Sequence, residues 1–287
     1  MEISEVVSGS SGFPNQLLEV KPKIKRLWYR GELRSEILKK TVAVVGSRRM
    51  SRYGRSVIEE IVPRLCGADY TIVSGLMYGV DQLAHKKTLE CGGKAIAVLG
   101  WGIARSNDPE SDRLADQIVS SDGVVMSEYP EDFRGQLWTF PARNRIVVGL
   151  SDIIVVVEAG IKSGTMSTVK WAEKMGKPVY AVPGSMFSST SEGANYMIET
   201  QLAKPLTAKV MDEICGSSGQ NVAVGQALNE MNQGEKSILE YLGVVGPCTV
   251  NEIARGLGIG VGEILGIIGA LEMKGVVKEE RGIFAIV

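Results

Sequence analysis

The densest chemistry in this chain lies in ten residues, Gly46-Ser47-Arg48-Arg49-Met50-Ser51-Arg52-Tyr53-Gly54-Arg55. A glycine ending an apolar run lets backbone approach a ligand, serine hydroxyls can donate, and a helix starting next presents unpaired N–H groups at its positive end. Together these make an anion site. The turn lacks both the GxGxxG of a dinucleotide fold and the GxxxxGK[ST] of a P-loop, so neither hydride transfer nor ATP hydrolysis is indicated. Four guanidiniums within eight positions exceed what one phosphate needs and suit a chain of phosphates. Two other stretches repeat the theme: Ser74-Gly75, again after an apolar run, and Lys162-Ser163-Gly164-Thr165, where a cation and hydroxyls precede a helical pattern. In Trp138-Thr139-Phe140-Pro141-Ala142-Arg143-Asn144-Arg145, basic groups sit beside two aromatics. Base stacking on an aromatic face plus arginine on phosphate holds single strands without reading sequence, although each aromatic can equally be core.

Other chemistries find little support. A single His85, placed mid-helix, leaves no partner set for a Ser-His-Asp or Cys-His design unless it is itself the base, and a structural role suits it better. Cys66, Cys91, Cys215 and Cys248 are scattered without a CxxC pair, so no metal site and no cofactor is expected. No catalytic residue is assigned.

Such turns need a frame. The runs 41–46, 70–75, 94–100, 123–127, 152–158 and 178–184 are short, apolar and mostly closed by glycine, as buried parallel strands are. Helical spacing separates them at 53–65, 80–89, 112–119, 141–150 and 164–175. This alternation predicts an α/β fold, a doubly wound Rossmann-like parallel sheet that collects ligands at the carboxyl ends of its strands. With 287 residues, 34 glycines and only 6% aromatics, one large domain plus a small module is expected. Residues 1–40 read as an N-terminal basic arm and lead-in, 41–214 as the Rossmann-like domain, 215–233 as a small-residue linker and 234–287 as a winged helix-turn-helix. No apolar run approaches the roughly 20 residues that cross a bilayer, so no membrane contact and a cytoplasmic location are expected.

The formal charge of −1 hides an asymmetry. Residues 21–55 carry twelve cations and two glutamates, a local +10, while the remainder sums to −11. A solvated basic face is an equal alternative for residues 21–40. The C-terminal module shows three helical patterns, a capping-box spacing from Thr249 to Glu252, and a hairpin pattern over 276–287. Its charge is −2, and the pattern from Val261 to Lys274 is apolar and glycine-rich, so packing or protein contact suits it better than reading base edges.

Across roughly residues 13–205 the sequence resembles the DNA-processing protein A family (DprA, also called Smf). The resemblance runs through Val45-Gly46-Ser47-Arg48 with Tyr53-Gly54, Ser74-Gly75 with Gly79-Val80-Asp81 and Ala84-His85, Ser127-Glu128-Tyr129-Pro130, Phe140-Pro141 with Arg143-Asn144-Arg145, Glu158-Ala159 with Lys162-Ser163-Gly164, and Val182-Pro183-Gly184-Ser185. It implies a non-catalytic protein that binds single-stranded DNA and loads the RecA recombinase in natural transformation, as a homodimer. Arg48, Arg49 and Arg52 would clamp phosphates; Lys162, Arg143 and Arg145 would extend the track, with Asn144 among the contacts. Gly46, Ser47, Ser74, Gly75, Ser163 and Gly164 would donate hydrogen bonds, and Phe140 would stack. Four to six phosphate contacts predict a log-log salt slope of about −3 to −4. Two segments depart from the family pattern, Gly100–Pro109 and Met197–Leu202, and no contacts are carried onto them; the short N-terminus has no room for the helical domain of many relatives. An enzyme is the rival reading, because related Rossmann-like folds include nucleotide phosphoribohydrolases. Their glutamate near 162–168 is missing here, which leaves Glu158 as a candidate acid, although a structural hydrogen-bonding role suits it better.

Overall fold

The computed structural model describes residues 2–106, 108–216, 232–274, 276–280 and 282–286. The chain divides into two compact units, Met1–Gly216 and the remainder. In the first, strands β1 (Ser4–Val7), β2 (Arg26–Gly31), β3 (Thr41–Val45), β4 (Thr71–Ser74), β5 (Ala95–Leu99), β6 (Val124–Ser127), β7 (Ile153–Val156), β8 (Val179–Ala181) and β9 (Lys204–Pro205) form one sheet. Helices α1 (Arg52–Gly67), α2 (Val80–Glu90), α3 (Pro109–Ser120), α4 (Thr139–Leu150), α5 (Thr165–Lys174), α6 (Glu192–Glu199) and α7 (Ala208–Cys215) flank it.

The strand order is β1-β2-β6-β5-β4-β3-β7-β8-β9. From β3 the chain winds outward through β4, β5 and β6, then returns to the other side of β3 with β7, so the order reverses between β3 and β7. A crevice must open there, because the connections on either side of that point leave in opposite directions. Apart from Thr41 both strands are apolar, because both faces are covered. Ala43, Val45, Ile154 and Val156 enter the core on one side, Val42, Val44, Val155 and Val157 that on the other.

Residues 1–40 are not an arm. β1 and β2 add to β6 as antiparallel edge strands, pairing Trp28 with Ser127 and Arg30 with Val125. Phe13, Leu17, Val20, Ile24 and Leu27 are buried in the main core, which ties the segment down. Its cations are correspondingly dispersed: Arg26 pairs with Glu5, Arg30 with Asp116 and Arg34 with Glu32, while Lys40 lies 4.2 Å from the Tyr70 ring. The basic segment is thus split between the N-terminal strands and their flanks, where three arginines are paired with carboxylates, and the turn after β3.

His85 is fully buried in α2, and neither ring nitrogen makes a well-formed hydrogen bond among the described residues. Burial pulls its pKa down to about 3 from an ordinary 6.5, so the folded imidazole is neutral. The unfolded chain takes up a proton that the native state refuses, so stability should be full above pH 6.5 and fall progressively toward pH 3. His85→Gln should flatten this part of the profile in urea titrations between pH 7 and 4. An unchanged slope would remove His85 as its cause.

The second unit contains α8 (Gln233–Val245), β10 (Cys248–Thr249), α9 (Val250–Leu257), α10 (Val261–Met273), β11 (Val277–Glu280) and β12 (Ile283–Ile286), with strand order β10-β12-β11. Thr249 and Glu252 close the expected capping box: the Thr249 hydroxyl accepts from the Glu252 N–H and the Glu252 carboxylate from the Thr249 N–H. The exposed surface of α10 carries Leu265 and Met273 and no arginine, asparagine or glutamine. Most of the expected linker, residues 217–231, lies outside the described residues; Cys215 closes α7 and Gln233 opens α8. Among the described residues no single helix is long and apolar enough to cross a membrane.

Candidate nucleic-acid interface

A cleft of ≈ 980 Å3 opens at the strand-order reversal, between the turn after β3 and the turn after β7. Gly46, Ser47, Arg48 and Arg49 form one wall, and Lys162, Ser163, Gly164 and Thr165 the other. The Ser47 hydroxyl accepts the Arg49 N–H at 3.0 Å, which folds this short turn back on itself and leaves Arg48 and Arg49 exposed. Gly79 makes the turn's path feasible: its φ is +83°, and a side chain there would strike the Ser47 carbonyl. Gly46 is wedged between the Glu158 backbone and Val80, so β3 can end this close to β7 only without a Cβ.

On the opposite wall, α5 begins at Gly164 with no side-chain cap. Its first N–H groups and positive end therefore stand beside Lys162. The buried Ser163 hydroxyl has no hydrogen-bonding partner among the described residues. Asn144 bridges from α4, donating to the Ser167 hydroxyl at 2.8 Å and accepting from Arg143 Nε at 3.3 Å, so it positions the start of α5. Among the described residues, Arg48, Arg49 and Lys162 have no carboxylate within 4.0 Å, whereas Asp81 and Glu192 are the acids lining the cleft. Arg48 lies 5.4 Å from the centre of the half-buried Phe140 ring, leaving that ring partly occupied from within.

Four expected contacts are corrected. Arg143 is only 3% exposed: Nη1 donates to the Gly75 carbonyl at 2.8 Å and to the Val98 carbonyl. Its charge is a buried counterpart to Asp81, and burial pulls its pKa down to about 10, against the pull of Asp81, with Arg48 adding to the lowering. It forms the floor of the cleft. Arg145, two residues on, points elsewhere and is consumed by Glu128 through two contacts of 2.5 Å, by the Ala142 carbonyl and by the Pro22 carbonyl. The Ser74 hydroxyl is fully buried and donates to Val44 at 2.6 Å, while the Gly75 N–H goes to Asp81 at 3.2 Å. A fifth residue, Arg52, is exposed but opens α1 outside the cleft lining. Trp138 is also exposed, with its ring edge-on to Tyr129 at 6.1 Å.

Glu158 settles where the strand-end carboxylate goes. Its oxygens accept from the Ser51 N–H at 2.8 Å, the Ser51 hydroxyl at 2.5 Å and the Thr190 hydroxyl at 3.3 Å. It secures the start of α1 and the loop before α6. That loop, 183–191, contributes Ser189 and Thr190 to the cleft, and Leu137 and Ile161 line it too. The glycine, serines and threonine after β8 were the available signal for a further strand-end loop at the site.

The profile of the DNA recombination-mediator protein A family matches residues 5–216, the whole unit that carries the cleft. The chain belongs to this family. A DprA winged helix domain profile matches residues 222–282. Similarity to the DNA processing protein DprA of Streptococcus pneumoniae is 38% identity over 188 residues, spanning 65% of each chain, slightly less than two thirds of that relative. Its X-ray structure superposes with a TM-score of 0.67 at 35% identity, covering 74% of this chain and 73% of that one. The DNA processing protein A of Helicobacter pylori superposes with a TM-score of 0.66 at 25% identity, covering 77% of this chain and 97% of that one; its structure describes a single-stranded DNA binding mode of that protein.

Proposed function

We propose that this member of the family binds single-stranded DNA in the cleft without making or breaking a bond, and that as a homodimer it delivers the strand to the RecA recombinase in natural transformation or recombination. The observation that carries this reading is the pairing pattern: Arg48, Arg49 and Lys162 line one crevice with no carboxylate within 4.0 Å of them among the described residues, while Arg143 and Arg145 are spent inside the fold. Cations addressed to phosphates give affinity with weak sequence preference. Family membership and the single-stranded DNA mode of the Helicobacter relative lend support.

The geometry also changes the expected salt dependence. With Arg143 and Arg145 withdrawn, three lining cations give a slope of about −2 at roughly −0.7 per phosphate. Affinity for oligo(dT), measured against duplex of equal length across a salt series, tests this; equal affinity for both would overturn single-strand selectivity. Because the cleft lies wholly within Met1–Gly216, deleting 217–287 should leave oligo(dT) binding within about twofold, and complete loss would show that the second unit is needed. Release of base from nucleoside monophosphates would establish the phosphoribohydrolase reading instead. The commitment of both Glu158 oxygens to Ser51 and Thr190 argues against it.

A further inference from the structure

Two large apolar side chains that line this cleft stand in solvent, and two more stand in solvent on the loop that contributes Ser189 and Thr190 to it. Leu137, 93% exposed, and Ile161, 40% exposed, line it. Met186 and Phe187 are 80% and 90% exposed in the loop between β8 and α6, separated by Ser188 from Ser189 and Thr190, which also line it. Side chains of this size are ordinarily drawn into a core or an interface.

The loop that holds Met186 and Phe187 is braced on both sides of them. Gly184 is clasped by Asn195, which accepts its N–H at 3.1 Å and donates to its carbonyl at 3.0 Å. The Tyr53 hydroxyl donates to the Pro183 carbonyl at 2.8 Å. Beyond Phe187, the Ser188 N–H closes a turn onto the Ser185 carbonyl at 3.1 Å, the Ser188 and Thr190 hydroxyls meet at 2.9 Å, and Thr190 reaches Glu158 at 3.3 Å. Tied at both ends, the loop keeps its two apolar side chains outward.

Charge complementarity points to the occupant. Arg48, Arg49 and Lys162 supply unpaired positive charge within the cleft, and an apolar rim adjoins it. A ligand that alternates phosphates with bare aromatic faces matches both features, and unpaired nucleotides are such a ligand; a duplex keeps those faces inside its stack.

We propose that Met186 and Phe187 form a stacking platform for unpaired bases at the rim of the cleft, and that this loop contributes to preference for single over double strands. The proposal rests on the single-stranded DNA reading above and assigns a base contact to residues outside the arginine turn and outside Phe140.

The test compares the full chain with Phe187→Ala, Met186→Ala/Phe187→Ala and Phe187→Trp, using oligo(dT), an abasic oligonucleotide of the same length and a duplex. Phe187→Ala should weaken oligo(dT) binding roughly tenfold, the double variant more, and Phe187→Trp should retain it. Binding to the abasic strand should be unchanged in all variants. Equal losses on oligo(dT) and abasic strand, or no loss on oligo(dT), would overturn the stacking role while leaving the phosphate track standing. Failure of the unaltered chain to bind oligo(dT) would overturn both.

Discussion

Replacing Arg143 by alanine should cost about 3 kcal/mol or more of folding stability, because it strands buried hydrogen-bonding groups and takes away the cation whose field opposes the burial of Asp81. The substitution leaves the carbonyls of Gly75 and Val98 without their donor and Asp81 buried without its counter-charge. Burial already pushes the Asp81 pKa upward, with Arg143 and the N–H groups of Gly75 and Met77 opposing that push. Once the guanidinium is gone, Asp81 should take up a proton more readily, and the variant should lose part of its remaining deficit at lower pH. Urea denaturation at two pH values measures both effects. Asp81→Asn in the Arg143→Ala background should recover stability relative to Arg143→Ala alone, since it removes the stranded charge. A loss under 1 kcal/mol, accompanied by weakened DNA binding in a well-folded variant, would return Arg143 to the phosphate track.

The converse pattern is expected for the exposed cations. Arg48→Ala/Arg49→Ala/Lys162→Ala should change stability by no more than about 1 kcal/mol, since among the described residues these surface groups have no ion pairs and only Arg48 of the three approaches a ring. Single-strand affinity should nevertheless fall by about 3 kcal/mol or more, with about 1 kcal/mol or more for each charge-assisted contact. The salt slope should flatten by about 2, roughly 0.7 per lost phosphate contact. Electrophoretic shift and fluorescence anisotropy across 50–300 mM salt read both quantities. An unaltered slope would mean that these three groups do not neutralise phosphate in the complex.

These two variants separate arginines that look equivalent along the chain. Arg48 and Arg143 each follow the family pattern, and each sits near hydroxyls and an aromatic residue. One lies in a turn whose backbone is curled by Ser47, so its side chain remains exposed. The other lies on α4, where it extends beneath the ends of β4 and β5 toward the carbonyls of Gly75 and Val98. Two residues further along the same helix, Arg145 comes round to Glu128 and Pro22. The segment 183–191 shows the opposite case, an ordinary-looking loop that tertiary ties convert into a projecting apolar rim.

By itself the sequence determined the alternation of strands and helices, the doubly wound sheet and the place where the glycine- and serine-rich strand-end turns gather, because hydrophobic periodicity and glycine-closed strand ends are local signals. The family pattern was legible for the same reason, being written in short motifs. Only the tertiary structure decided that residues 1–40 supply two edge strands, since antiparallel pairing of Trp28 with Ser127 joins segments a hundred residues apart. It also decided which cations face solvent and which are buried. That distinction depends on partners distant in the chain, on the carbonyls and carboxylates that the folded sheet brings to each guanidinium, and no spacing rule within one segment can supply them.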